Sequence, residues 1–360
     1  MKKIVILGAS GEIGRRAAKI LKQKYHVKGT YFSRKIESCK NCEYFKIDVT
    51  NEKEIMELCK GADVIVNCAG ASYINGRKIA EIASILQIPY IDPSGETFLE
   101  KYLYDKTDNN IFVLSSGYYP GLSGVLMKYV CNSFERPETV SGFTISEEVP
   151  SQSAIEDFVL TNLSGFGKIC SYYSNGEVLR DTNERMEIVH NRLYKLQNYL
   201  SVEIKRIAEQ FSLKTGNWYN VSFGDDIINK LQEAIFSIKL GQEVYKKKIA
   251  DVVQLFETKQ QQVEPFTYLE VIGTGRNNNI SQTINIKVES LCSSILSAII
   301  VSTVAEIILN ERPQNGIYYA MDIIKGDKLL DVLEQYGVEV YKKTITEERV
   351  EESEYDEGCI

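Results

Sequence analysis

Three glycines stand at the first turn of the chain, spaced as Gly-x-x-Gly-x-x-Gly. The apolar run Ile4 to Leu7 precedes them and is typical of a buried parallel strand, and Arg15 to Lys24 has a helical pattern. Glycines there let the backbone approach a pyrophosphate, and the helix N-terminus offers N–H groups to it. We therefore expect a dinucleotide at this turn; the alternative is a turn whose glycines only allow packing. The predicted contacts here are Gly8, Ser10, Gly11, Glu12, Ile13 and Gly14.

The end of the second predicted strand, His26 to Phe32, indicates which dinucleotide binds. An NAD-binding domain usually places an acidic residue there, on the ribose 2′-hydroxyl. This chain has Ser33, Arg34 and Lys35 instead, and a hydroxyl with two cations suits a 2′-phosphate. The sequence therefore predicts NADP(H) as the cofactor. Two solvated surface cations are the alternative interpretation.

Further cofactor contacts are expected where other strands end, because ligands of parallel sheets bind at the carboxyl ends of the strands. Asp48 and Val49 end the third predicted strand, where a carboxylate can meet the adenine amino group. Small residues follow the fourth strand, and two more follow the sixth. These are Cys68, Ala69, Gly70, Ser116 and Gly117.

The catalytic candidates are the residues that could give up one proton beside a hydride donor, since hydride transfer needs little else from the protein. Tyr118 and Tyr119 follow the sixth strand, and Asp92 and Glu96 follow the fifth. We predict Tyr118, Tyr119 and Asp92 as catalytic. The alternatives are rings that only pack the turn and, for Asp92, a helix cap. Neither histidine lies near the carboxyl end of a strand.

Two other patterns suggest different chemistry. Tyr102-x-x-x-Lys106 has the spacing of the Tyr–Lys pair of short-chain dehydrogenases, but it precedes the sixth strand, too early for the active-site helix of that fold. Cys39-x-x-Cys42 looks like half a zinc site, but the sequence contains no second such pair. We expect no metal at this position.

The elements that must position these residues divide the chain into regions. Strands and helices alternate through Leu114, which predicts an α/β fold with an N-terminal Rossmann-type, doubly wound parallel sheet. A second α+β domain with an antiparallel sheet and long helices is expected to follow. Its predicted parts include helical segments at Asn183–Phe211 and Asp225–Phe256, and a hairpin joining Tyr268–Gly275 to Ser281–Ser290. The predicted regions are 1–125 (NADP-binding), 126–292 (substrate binding and dimerisation), 293–345 (returning to the first domain) and 346–360 (acidic tail).

Composition limits the partners. The 360 residues are 44% hydrophobic and carry a net charge of −7, most of which comes from seven acids against one arginine at 347–357. The rest of the chain is close to neutral, so no nucleic-acid partner is expected. The sequence has no long apolar run and no signal-like start, so we expect a cytoplasmic protein without a membrane partner. Its eight scattered cysteines are expected to be free thiols.

The chain resembles the saccharopine dehydrogenase (reductase-type) family in four segments: Gly8–Gly14, Tyr90–Glu96, Gly117–Gly121 and Gly316–Tyr341. The similarity extends over about the first 125 residues and about the last 70, whereas the middle region resembles no family we can name. The resemblance implies a Rossmann domain, a second domain across a cleft, and frequent dimers. It also implies reduction of C=N bonds formed from amines and carbonyls, or of C=C bonds in some branches.

We therefore expect an NADPH-dependent reductase that acts on an imine of amino-acid-derived or specialised metabolism. The substrate would be a small molecule, and the assembly a homodimer. Two alternatives stay open: an enoyl (C=C) reductase of the same family, and a non-catalytic NADP-binding redox sensor.

Overall fold

β-branched apolar runs form the strands of the N-terminal half, and helices with one apolar face connect them. A computed structural model describes residues 1–163, 167–260 and 264–346. The acidic tail beyond Thr346 lies outside the described residues. The elements of this half are β1 (Lys3–Leu7), α1 (Glu12–Leu21), β2 (His26–Tyr31), β3 (Cys42–Lys46), α2 (Glu52–Cys59), β4 (Val64–Asn67), α3 (Ser72–Leu86), β5 (Tyr90–Ile91), α4 (Thr97–Leu103), β6 (Ile111–Leu114) and α5 (Leu122–Asn132).

The remaining elements follow in chain order. They are β7 (Arg136–Glu147), α6 (Gln152–Leu163), β8 (Gly167–Ile169), β9 (Ser171–Ser174), β10 (Glu177–Arg180), β11 (Glu184–Val189), β12 (Arg192–Ser201), α7 (Val202–Gln210), β13 (Thr215–Val221), α8 (Asp225–Ser237), α9 (Gln242–Gln260), β14 (Phe266–Asn277), β15 (Ile280–Ser290), α10 (Ser293–Glu311), β16 (Gly316–Tyr319), α11 (Ala320–Ile323), α12 (Gly326–Gln335) and β17 (Glu339–Thr346).

The first sheet is parallel throughout, with strand order β3-β2-β1-β4-β5-β6-β16. Its first six strands follow the order of a doubly wound dinucleotide-binding sheet. Strand β16 comes from the end of the chain and adds to the edge at β6. This confirms the predicted fold class of the N-terminal region.

The second sheet has ten strands, and its central path runs β10-β9-β13-β7-β14-β15-β17. Most neighbours are antiparallel, but β7 and β13 are parallel. The predicted hairpin is confirmed as β14–β15, and its turn places Asn278 and Asn279 at positive φ, the conformation that two-residue hairpin turns favour. Strand β17 pairs with β15, so the last strand joins the second sheet and not the first.

One helix prediction is wrong. The segment Asn183–Phe211 forms the β11–β12 hairpin followed by the short helix α7. Along β12 the buried positions Tyr194, Leu196, Asn198 and Leu200 alternate with more exposed ones, so cross-strand packing overrides the helical charge spacing. The predicted helical segment Asp225–Phe256 is present, but it breaks at Gly241 into α8 and α9.

The two sheets share a core through α10. This helix packs against α1 and contacts the second sheet at β15, and its small and branched side chains are buried along most of its length. Within the described residues it is the one helix long and apolar enough to cross a membrane, a property that core helices of soluble proteins share. The four predicted domain boundaries stay a prediction.

Candidate functional site

Two of the three motif glycines are required by packing. Gly8 has φ +76°, and a Cβ on it would lie 2.3 Å from the carbonyl oxygen of Cys68 at the end of β4. A Cβ on Gly14 would lie 2.5 Å from the carbonyl oxygen of Gly8. The purely structural interpretation of the turn is therefore sufficient for Gly8 and Gly14. It also explains why strand β4 can run so close to the turn.

Gly11 differs from its two neighbours in the motif. It is exposed, has an ordinary φ of −75°, and a Cβ on it would come no closer than 3.3 Å to another atom. It is also the N-cap of α1, and no side chain caps the first N–H groups of that helix. These N–H groups and the positive end of the helix dipole are suited to an anion. The exposed backbone at Gly11 is therefore suited to an anion such as a pyrophosphate.

The other predicted motif residues lie next to Gly11 in the chain. Ser10 and Ile13 are half-buried, and Glu12 is exposed on the first turn of α1. The Glu12 carboxylate pairs with Arg15 at 2.9 Å and with Arg16 at 3.3 Å. Its negative charge is thereby offset close to the position where phosphates would lie.

The residues after β2 present cations to solvent. Ser33, Arg34 and Lys35 are all exposed. Lys35 lies 3.2 Å from Glu37, an exposed pair of small energetic value. Arg34 takes part in none of the ion pairs among residues 1–163, 167–260 and 264–346, so its guanidinium is available to a phosphate. The arrangement fits a 2′-phosphate bound chiefly by Arg34.

The predicted residues at the ends of β3 and β4 lie at the same edge of the sheet. Asp48 is exposed, and its Oδ1 accepts hydrogen bonds from the Thr50 N–H at 2.9 Å and hydroxyl at 2.8 Å, which lower the pKa of Asp48. Its neighbour Val49 is half-buried. Asp48 is therefore ionised at neutral pH and can accept a hydrogen bond from an amino group.

After β4 the chain passes close under the glycine turn. Cys68 is half-buried and Ala69 is buried, whereas Gly70 is exposed with φ +65°. Ser116 and Gly117, after β6, are buried, and a Cβ on Gly117 would lie 2.7 Å from the carbonyl oxygen of Pro93. Ser116 and Gly117 therefore contribute to the packing of this edge of the sheet.

Asp92 is the centre of a buried hydrogen-bond network. Its carboxylate accepts hydrogen bonds from the Tyr90 hydroxyl (2.5 Å), the Ser72 hydroxyl (2.7 Å), the Asn67 amide (3.1 Å) and the Ser94 N–H (3.0 Å). Burial raises the pKa of Asp92, and these hydrogen bonds oppose the rise. Because its oxygens are already occupied, Asp92 positions the ends of β4, β5 and α3; this geometry does not favour the predicted proton-donor role.

Tyr118 is held in the second sheet. Its hydroxyl hydrogen-bonds to Thr144 and donates to the carbonyl oxygen of Tyr268 at 3.2 Å, while its N–H donates to Ser297 at 3.0 Å. The ring is buried, and burial raises the pKa of its hydroxyl. The geometry favours the structural alternative for Tyr118.

Tyr119 is placed differently. Its ring stacks on the buried Trp218, with 5.0 Å between the ring centroids, and its hydroxyl is buried without a hydrogen bond of good geometry to any described residue. Asn220 is close to that hydroxyl, and the charges of Glu96 and Glu203 act on it. A buried hydroxyl with an unused donor is suited to bonding a ligand.

Three acids from different elements influence one another here: Glu96 before α4 and Glu203 on α7 act on this hydroxyl, and Asp157 on α6 acts on Glu96. Glu96 is only 8% exposed and makes no side-chain hydrogen bond or ion pair with any described residue. Burial, followed by the charges of Glu203 and Asp157, raises its pKa well above the ordinary value.

The other two acids have partners. The Asp157 carboxylate accepts a hydrogen bond from the Ser94 hydroxyl at 2.9 Å and lies 3.5 Å from the Tyr73 N–H. These contacts connect α6 to the edge of the first sheet. Burial raises the pKa of Asp157 to about 6. Glu203 accepts from the Gly121 N–H at 2.8 Å and from the Ser123 hydroxyl at 2.5 Å, and burial raises its pKa to about 8. These bonds join the second domain to the loop that carries Tyr119.

The sequence analysis missed Asp157, Glu203 and Trp218, which lie in the region without recognisable motifs. The sequence did offer one indication of Glu203, because this acid lies beside the apolar residues Ile204 and Ile207 on the buried side of α7, where a charged residue is unexpected.

The alternative pair Tyr102 and Lys106 is in contact, with the ammonium 5.0 Å from the ring centroid, but the Tyr102 hydroxyl donates a hydrogen bond to Glu81 on α3 at 2.7 Å. Cys39 and Cys42 exchange backbone hydrogen bonds across a tight turn, and no group of metal ligands occurs among the described residues.

Comparisons with known proteins support the fold and the NADP-binding character of the first domain. Residues 4–111 match the family model described as saccharopine dehydrogenase NADP binding domain. Saccharopine dehydrogenase (L-Glu forming) from Saccharomyces cerevisiae has the same fold, with a TM-score of 0.67 and 11% identity over 96% of this chain and 100% of that chain. The DAP dehydrogenase of C. glutamicum gives a TM-score of 0.49 and 13% identity over 93% of this chain and 98% of that chain.

One curated relative matches in sequence over a short stretch. The mitochondrial NAD(P)H oxidoreductase RTN4IP1 of Drosophila melanogaster is 38% identical over 84 residues, which are 22% of this chain. The matched stretch is 20% of the length of that relative.

Proposed function

We propose that the chain is an NADPH-dependent reductase of a C=N bond that is related to the saccharopine dehydrogenases, because residues 4–111 match their NADP-binding domain and the fold is that of a saccharopine dehydrogenase. The family, the fold and NADP(H) as the cofactor agree with the expectations from the sequence. The proposal adds the reaction. The observation that supports it is that the glycine turn and the loop carrying Tyr119 both follow strands of one parallel sheet at their carboxyl ends.

The residues of the cofactor side would bind and orient the dinucleotide. The N–H groups at Gly11 would hold the pyrophosphate, Arg34 the 2′-phosphate, and Asp48 the adenine amino group. The exposed backbone at Gly70 would lie along the ribose. When bound, NADPH supplies a hydride, and the protein's remaining task is to place the acceptor and give one proton.

Tyr119 is the proposed proton donor. An imine nitrogen becomes an amine by gaining a hydride at carbon and a proton at nitrogen, and a neutral phenol can provide that proton. Burial raises the pKa of the Tyr119 hydroxyl, so the group stays protonated at neutral pH. Its stacking on the buried Trp218 holds the ring in one orientation.

Consumption of NADPH tests the proposal. The purified protein would be mixed with NADPH, a carbonyl compound and an amine, and the loss of NADPH absorbance followed, with Gly11→Val as the control. We expect turnover that requires both organic components. Turnover of an enoyl compound without an amine would favour the C=C alternative, and binding of NADPH without turnover of any substrate would favour the redox sensor.

Assembly and location are also part of the proposal. A homodimer, a cytoplasmic location, a small-molecule substrate and the lack of nucleic-acid or membrane partners remain predictions from the sequence. Light scattering after size-exclusion chromatography would test the dimer, for which we expect twice the mass of the 40.8 kDa chain.

A further inference from the structure

A turn with two cysteines joins the connection after β2 to strand β3. Cys39 and Cys42 each donate a backbone hydrogen bond to the carbonyl oxygen of the other, both at 2.9 Å. Residues paired in this way have Cα atoms about 5.5 Å apart, and a disulfide spans about 4.4–6.8 Å between Cα atoms. Their side chains also lie on the same face. The backbone of this turn is therefore compatible with a disulfide, although both cysteines are free thiols in the structure.

The two thiols have different surroundings. Cys39 is the one exposed cysteine in the described parts of the chain, and the Lys22 ammonium donates a hydrogen bond to its sulfur at 3.3 Å. A neighbouring cation favours the thiolate, which is the nucleophile of disulfide exchange. Cys42 is buried, and burial raises the pKa of its thiol. This contrast makes Cys39 the attacking group and leaves Cys42 to react after it.

Cys39 also lines a basic cavity of about 290 Å³ beside α1 and the connection after β2. The charged residues that line it are Arg15, Arg16, Lys19, Lys22 and Glu37. The two arginines pair with Glu12, and Glu37 pairs with Lys35. The two lysines form no ion pair with any residue that the structure describes, which leaves a positive potential at the cavity. A reaction partner that reaches Cys39 through this cavity should therefore be anionic.

We propose that Cys39 and Cys42 form a reversible redox site that exchanges with small anionic disulfides. This site does not depend on the proposed reductase reaction. The Cys39 thiolate attacks one sulfur of the disulfide and bonds to it, and the other half leaves as a thiolate. Cys42 then attacks the Cys39 sulfur and releases the second half. The two protein thiols are oxidised to one disulfide, and the external disulfide is reduced to two thiols, which take up the two protons.

Two probes of similar length and opposite charge test the site: 3,3′-dithiodipropionate, which carries two carboxylates, and cystamine, which carries two ammonium groups. Each would be added to the full chain, and the products identified by mass spectrometry after quenching with acid. Trypsin cleaves after Lys40, so the peptides that contain Cys39 and Cys42 then stay joined only through a disulfide. We expect this joined product, its reversal by dithiothreitol, and a rate about tenfold or more higher with the anionic probe at low salt.

Two results of this experiment would contradict the inference. The first is the absence of the joined peptides after reaction with either probe. The second is a rate with cystamine that equals or exceeds the rate with dithiodipropionate, since the basic cavity would then not select the charge of the partner.

Variants assign the two roles. Cys42→Ser should stop at a mixed disulfide on Cys39, and Cys39→Ser should leave the buried Cys42 thiol unmodified. Lys22→Gln should slow the reaction with dithiodipropionate about tenfold, because it removes the ammonium beside the sulfur. Lys53→Gln, which removes an exposed lysine of α2, is the matched control and should not change the rate.

The exposed position of Cys39 keeps the test independent of folding defects at the buried cysteine. If Cys42→Ser fails to fold, Cys39→Ser and the unmodified protein still test the site. Modification of Cys42 in a folded Cys39→Ser protein, or an unchanged rate in Lys22→Gln, would overturn the inference.

Discussion

The two sheets of this protein present functional groups in different ways. At the first sheet the candidate pyrophosphate contacts are backbone N–H groups and glycine-lined space, placed by one strand, one turn and the start of one helix within the first fourteen residues. At the second sheet the candidate groups are side chains from α6, α7 and β13 that are distant in sequence. A local motif can therefore reveal the first site, whereas the second exists only after the chain has folded.

The largest expected effect tests the first region. Gly11→Val should abolish detectable NADPH binding in a folded protein, because its φ of −75° accepts a side chain that would fill the pyrophosphate space. Gly8→Val is the contrasting variant, and it should lose the fold itself, since its Cβ would meet the Cys68 carbonyl. Fluorescence titration with NADPH and circular dichroism would distinguish the two. Normal NADPH affinity in Gly11→Val would reject the cofactor site.

The next effect tests the second region. Tyr119→Phe should lower kcat by roughly 10²-fold with little change in NADPH affinity, if its hydroxyl gives the proton. Tyr118→Phe is the matched variant, and it should lower stability by about 1 kcal/mol through its lost hydrogen bonds, with a smaller effect on kcat. Steady-state kinetics and chemical denaturation measure these quantities. A reversed pattern would move the proton donor to Tyr118, and normal kcat in both variants would leave water or Asp92 as the source.

A smaller effect concerns cofactor choice. Arg34→Ala should weaken NADPH binding by about 1.5–3 kcal/mol, the scale of a charge-assisted hydrogen bond, and leave NADH affinity unchanged. Lys35→Ala should cost less, because Lys35 already pairs with Glu37. Titration of both cofactors into both variants measures this difference. Equal NADPH and NADH affinities in the unmodified protein would contradict the prediction.

The last expected effect concerns neither binding nor turnover: it is a dependence of stability on pH. Burial raises the pKa of Glu203 from 4.5 to about 8. Between these values the folded state keeps a proton that the unfolded state has lost, so the free energy of unfolding falls as pH rises, by at most about 1.4 kcal/mol per pH unit. Glu203→Gln removes this contribution, and its stability relative to the unmodified protein should improve as pH rises from 4.5 to about 8.

Urea denaturation at several pH values would measure that change. Glu209→Gln, an exposed acid on the same helix, is the control and should follow the unmodified protein. Parallel stability curves for Glu203→Gln and the unmodified protein would show that Glu203 is ionised in the folded state at neutral pH.

Hydrophobic pattern and turn chemistry by themselves determined the first sheet. The run Ile4–Leu7, the spaced glycines and the basic residues after β2 act over short distances, so the strand, the turn and the cofactor preference follow from adjacent residues. The β14–β15 hairpin is also local, because Asn278 and Asn279 favour its turn. The helix predicted from the spacing of charges at Asn183–Phe211 is wrong, because pairing between strands decides the conformation of most of that segment.

Only the tertiary structure decided which candidate side chains have hydrogen-bond partners and which do not. The sequence placed Tyr118 and Tyr119 side by side, but the bond to Thr144 holds one ring in the sheet while Trp218 stacks on the other. In the same way, Asp92 is bonded by four donors and Glu96 by none of the described residues. The chemical availability of a side chain depends on partners far away in the sequence, and only the folded chain brings these together.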